Sequence, residues 1–196
     1  MLCLATRPRS GALVSSTLAF RGGYGLFALA TRAARGDDKP SIRMKKEDRI
    51  AAFTQELSSD GKADDRAYYR AYFKLFNDQQ YYEAHDVLEQ LWLRAFEPEI
   101  QFYKGLIQLA GAFVHLQKQF RRPTHPTDGR RLRPAWRLFK LAHKNLLPFT
   151  PGFHGFGVDR AIALIDSTLA QLEHSQFTAN PWSPESAPKL ELPDLW

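Results

Sequence analysis

Cysteine is nearly absent from this chain of 196 residues: Cys3 is the single one, and it lies in an N-terminal leader. From residue 44 onward there is none, which excludes a disulfide framework, a zinc ribbon and a thiol nucleophile there. Any metal in that part must be held by His, carboxylate, amide or water ligands. A long hydrophobic run is also missing. The most apolar stretch, Gly11 to Ala30, is interrupted by Arg21 and by glycines, so no segment reads as membrane-spanning. No Gly-rich phosphate loop, Gly-x-Ser-x-Gly elbow, His-Glu-x-x-His zinc motif or paired Glu-x-x-His motif is present.

Acid is scarce at the N-terminus, where Asp37 is the first carboxylate. Residues 1–43 hold seven of the 27 basic residues and two of the 21 acidic ones, so most of the formal charge of +6 belongs to them. The remaining body is close to neutral, which argues against nucleic-acid binding by the folded part. Two readings of the leader stand side by side. An Arg-containing, Ser/Thr/Ala-rich, acid-free segment suits a transit peptide to a mitochondrion or plastid. Met44, followed by Lys45-Lys46-Glu47-Asp48, also suits a translation start, which would make the protein cytoplasmic. In either case the expected fold begins at residue 44.

The body, 44–174, shows helical periodicity and no two-residue alternation of strand type. A first helix is expected over about 45–57 and a second after Asp64 or Asp65, with Tyr69, Tyr72, Phe73 and Phe76 in an aromatic face. Asn77-Asp78 ends it. A third runs from about Gln79 to Ala95. A fourth, from about Glu99 to Gln119, is apolar around most of its circumference and is therefore central. It leaves a narrow polar line of Gln101, Lys104, Gln108 and His115, while Gly105 and Gly111 allow a neighbour to approach closely. An Arg/Pro-rich loop (121–133), a helix containing Trp136 and Phe139, a turn region (148–157) and a last helix (158–174) follow. The tail, 175–196, is rich in proline but carries Trp182, Leu190, Leu192, Leu195 and Trp196, so part of it is expected to lie over a groove, its own or that of a second copy of the chain. Short links between successive helices give an all-α class: a small antiparallel bundle of about five helices with an irregular C-terminal tail.

Chemistry concentrates on the third helix. His85, Glu89 and Trp92 are spaced four and then three apart and share one face, with Tyr82 one turn earlier. An imidazole and a carboxylate at i, i+4 can hold one divalent cation, or share one proton in a hydrogen bond worth about 0.5 kcal/mol. If the polar line of the central helix turns toward this face, His115 adds a third ligand and Gln108 supports it. Glu89 is then either a ligand or the base acting on a metal-bound water. A separate basic run, with Arg130, Arg131 and Arg133 near a helix start, is a candidate for anion or RNA binding.

The segment Phe76-Asn77…Tyr82-Glu83-Ala84-His85…Leu88-Glu89…Trp92, with Gly105-Leu106-Ile107-Gln108-Leu109-Ala110 and His115, resembles the domain-of-unknown-function family 309. The resemblance is strong over about residues 70–118, thinner over 132–172, and does not reach the leader or the tail. It implies a small all-helical domain whose His-x-x-x-Glu-x-x-Trp/Tyr hallmark has been proposed to bind metal. The chain departs from the family at Asp78-Gln79-Gln80, where a glycine-favouring turn is usual, and after His115, where the Arg/Pro loop replaces a short connection. Three functions remain open at this point. One is a metal-binding protein, with hydrolysis as its candidate activity. Another is a non-catalytic binding or structural module in which His85–Glu89 is a packing pair. The third is anion or RNA binding through the Arg-rich segment 121–144.

Overall fold

Asp64 starts the first well-defined helix: its side chain accepts a hydrogen bond from the Ala67 N–H at 2.8 Å, closing one of the open donors of the first turn. The computed structural model describes residues 48, 50–52 and 64–192. Expectations for residues 1–43, and for most of a first helix over 45–57, lie outside them; Asp48 and Ile50–Ala52 are helical. The described part of the body, within a unit that runs from Arg43 to Trp196, is taken by itself below.

Helix α1, Asp65–Asn77, buries Tyr69, Tyr72, Phe73 and Phe76 completely. The chain then reverses at Gln79, whose φ of 60° is left-handed. That residue lets the Gln79 and Gln80 N–H groups donate to the Phe76 and Leu75 carbonyls at 2.9 and 2.8 Å, which satisfies the end of α1. A left-handed non-glycine residue costs about 1–2 kcal/mol. Two long-range contacts offset it: the Gln117 amide donates to the Gln79 carbonyl, and the Gln79 amide donates to the Pro184 carbonyl.

Helix α2, Tyr81–Trp92, buries Tyr81, Ala84, Val87, Leu88 and Leu91. It stops short of the expected Ala95. Arg94 and Ala95 bond back three residues, to Leu91 and Trp92, and the wound-up end leads into Phe96-Glu97-Pro98. Helix α3, Glu99–Arg121, is the central one, with Phe102, Leu106, Leu109, Ala110 and Ala112 fully buried. The Tyr72 hydroxyl donates to its Leu106 carbonyl at 2.8 Å. Helix α4, Leu132–Leu146, lies against α3 at Gly105, where an added Cβ would stand 2.7 Å from Leu146 Cγ. The last helix, α5, spans Val158–His174.

Between α4 and α5 stands an element too short for a periodicity to reveal. Strands β1 (Gly152–Phe153) and β2 (Phe156–Gly157) pair antiparallel across His154 and Gly155, which have φ of 48° and 69°. Positive φ at both turn residues is what a two-residue hairpin loop requires. Aside from this hairpin the described residues form the all-α bundle that the periodicity implies.

The tail crosses the helices as an extended strap. The Asn180 amide donates to the Leu116 carbonyl, and Trp182, 2% exposed, donates its indole N–H to the Tyr81 hydroxyl at 3.0 Å. Farther on, Asn77 and the Leu190 backbone exchange two hydrogen bonds of 2.7 Å. The strap thus braces the turn that launches α2. Among the described residues no helix is long and apolar enough to cross a membrane.

Candidate metal centre

One turn of α2 gathers three donor groups. His85 and Asp86 are adjacent, and Glu89 lies four and three residues beyond them, so the three occupy one arc of the helix. One ligand atom from each, an imidazole nitrogen and two carboxylate oxygens, lie within 4.8 Å of one another. Asp86 is buried at 4% exposure, while the His85 side chain is 35% exposed. His85 Nδ1 and Asp86 Oδ1 stand 3.4 Å apart, a long contact. The set is therefore half in the protein and half open to water.

Asp86 is the residue that spacing arguments miss. Read along the sequence it belongs to an acidic run, Glu83-Asp86-Glu89, suited to a solvated face. Its position three residues before Glu89 puts it on the same arc, and burial of the adjacent Val87 draws that arc toward the core.

The donor set fits a cation of borderline to hard character. Imidazole with two carboxylates suits zinc, manganese or ferrous iron, and lacks the thiolates that soft metals prefer. One turn beyond Glu89, the Trp92 indole N–H is buried and has no hydrogen-bond partner among the described residues. A buried donor left without an acceptor costs about 1–3 kcal/mol, so such a group is notable beside a candidate site.

His115 is not among the residues whose ligand atoms gather with His85 and Glu89. Gly105, Gln108, Ala112 and His115 share one stripe of α3, and the missing Cβ at Gly105 admits α4 on that side. Gln108 accordingly accepts a hydrogen bond from Asn145 of α4 at 2.8 Å. His115 lies in the field of Arg131, Lys118 and Asp128, where burial first, and the two cations second, push its pKa down to about 4. It is neutral at pH 7, and its Nδ1 is buried without a hydrogen-bond partner among the described residues. Tyr82, expected to line the site, is 47% exposed.

The basic residues of the loop are largely engaged. Asp128 accepts from Arg131 at 3.0 Å and Arg122 at 3.4 Å. Burial would raise its carboxyl, but the Arg131 hydrogen bond and the charges of Arg131, His125 and Arg122 hold it below its ordinary value. Arg133 stacks on Phe177, its guanidinium 4.3 Å from the ring centre. Arg130 is exposed. Gly129 is required where it stands, because a Cβ there would meet the Pro123 carbonyl oxygen at 2.1 Å.

Residues 69–124 match the family described as Domain of unknown function (DUF309). The segment from α1 through the central helix is thus similar to that family, and α4, α5 and the tail lie beyond the match. No curated protein and no solved structure matches the chain.

Proposed function

We propose that the His85–Asp86–Glu89 face of α2 binds a divalent cation and that the protein is a metal-binding protein. The observation that supports this reading is the convergence of one imidazole and two carboxylates within 4.8 Å on a single helical turn. His85 would supply nitrogen, and Asp86 and Glu89 oxygen. Three ligands leave coordination positions to water, as in catalytic rather than closed structural sites. A bound cation would supply a polarised water, which is why metal-dependent hydrolysis is the candidate activity. Glu89, the outer carboxylate, is the residue that would either complete the ligand set or take a proton.

A second reading has its own support. The burial of Asp86 beside His85 is also what a packing pair on a helix shoulder would show. Glu89→Gln separates the two, because it keeps size and hydrogen bonding while removing charge. The metal reading expects zinc or manganese affinity to fall at least about tenfold, with melting temperature changed little. A lower melting temperature with no metal effect would make the motif architectural.

A further inference from the structure

The hairpin between α4 and α5 is built to hold one side chain. Phe153 packs 4.9 Å from both Phe102 and Phe149, and Phe156 packs 4.9 Å from Phe73. These rings anchor the two strands, and the turn between them carries His154 at a φ of 48°. Left-handed backbone at a non-glycine residue is uncommon, and His is among the few types enriched there. The imidazole lies nearly parallel to the Tyr103 ring, with an interplanar angle of 13°, and its Nε2 is 3.2 Å from Glu99 Oε1.

This group faces a cavity of about 620 Å³, within the range of small-molecule sites. Its walls combine Glu99, Tyr103 and His154 with apolar Leu91, Ala95 and Phe96. Tyr103 is 5% exposed and lines this cavity. A phenol in the wall of a cavity can accept a hydrogen bond from a ligand's donor. The charged groups of the wall are Asp64, Asp65 and Glu99 against Arg66 and Arg94. Arg94 is already neutralised by Asp65 at 2.7 Å, and Asp64 is engaged as the cap of α1. Glu99, which also meets His154 Nε2 at 3.2 Å, is the carboxylate beside Tyr103. The field agrees: burial first, then Glu99 and Asp65, push the Tyr103 hydroxyl up, with Arg94 opposing them.

We propose that this cavity binds a small primary ammonium compound, its nitrogen held by the Glu99 carboxylate and the Tyr103 hydroxyl and its apolar part held by Leu91, Ala95 and Phe96. A primary ammonium offers three donors, and the site offers oxygen acceptors beside an aromatic face. The site is independent of the metal reading, since it shares no residue with His85, Asp86 or Glu89.

The test is a titration of the full chain with phenethylammonium and, as its charge-reversed counterpart, 3-phenylpropionate, followed by protein NMR. Saturable binding of phenethylammonium is expected, with the Tyr103 and His154 ring signals shifting. Glu99→Gln, half-exposed and so tolerant of change, is expected to weaken it about tenfold or more. Tyr103→Phe is expected to weaken it several-fold, and His85→Ala to leave it unchanged. Absence of phenethylammonium binding to the wild type, equal or tighter binding of 3-phenylpropionate, or full affinity in Glu99→Gln would each overturn the assignment.

Discussion

At the scale of single residues, His115 makes a pH-dependent contribution with a definite sign. An ordinary histidine takes a proton near pH 6.5, whereas this one does so only near about 4. Between those values the unfolded chain binds a proton that the folded chain refuses. The stability present above pH 6.5 is therefore lost as the pH falls toward about 4, by roughly 3 kcal/mol at most. Denaturant unfolding of the wild type and of His115→Gln at several pH values should show this dependence in the former and not in the latter. Asp128 is present in both proteins, so its own titration largely cancels in the comparison. Gln79 offers a second residue-level check. Its left-handed backbone predicts that Gln79→Gly stays within about 1 kcal/mol of the wild type, while Gln79→Val, β-branched at positive φ, loses about 2 kcal/mol. Similar melting curves for the two variants would refute this account of the turn. The contacts of Gln79 with Gln117 and Pro184 offset the strain of its left-handed backbone. Of the candidate site, His85 and Glu89 were legible because i, i+4 spacing is a direct consequence of helix geometry. Asp86 was not, because acidity suggested solvent and only the tertiary direction of the arc shows that it is buried.

At the scale of elements, periodicity located α1 through α5, and the apolar circumference of α3 marked it as central. What it left undecided was which neighbour meets each face. The Gly105 notch admits α4 on its side of α3, where Gln108 accepts a hydrogen bond from Asn145. Gly105→Val should thus push Leu146 outward and destabilise the fold by about 1–3 kcal/mol, measured by urea unfolding. An unchanged midpoint would show that α4 does not depend on that close approach. The hairpin was invisible for a different reason: two residues per strand carry no period, and its turn residues, His154-Gly155, are a weaker signal than Asn-Gly. The strap of the tail makes an equally specific statement. Trp182 fills a buried position and bonds Tyr81, the first residue of α2. Trp182→Ala should cost about 3–5 kcal/mol, and Trp182→Phe much less. A neutral Trp182→Ala variant would mean the tail does not brace the helices in solution.

At the scale of the whole molecule, the segment that matches the DUF309 family ends at the Arg/Pro loop, and α4, the hairpin, α5 and the strap follow it. Those additions meet α3 on the face of Gly105 and Gln108, and reach the entry of α2 through Tyr81, Asn77 and Gln79. They leave the His85–Asp86–Glu89 arc on α2 partly open to water. Packing thus holds the helix with Asp86 buried and His85 partly exposed to water. The most direct measurement is elemental analysis of the purified chain after loading with zinc, manganese or ferrous iron, beside His85→Ala checked by circular dichroism. The account predicts close to one metal ion per chain in the wild type and a clear loss in a variant that keeps its helical spectrum. No metal bound by the wild type under any of these loadings, or full occupancy retained in His85→Ala, would contradict it.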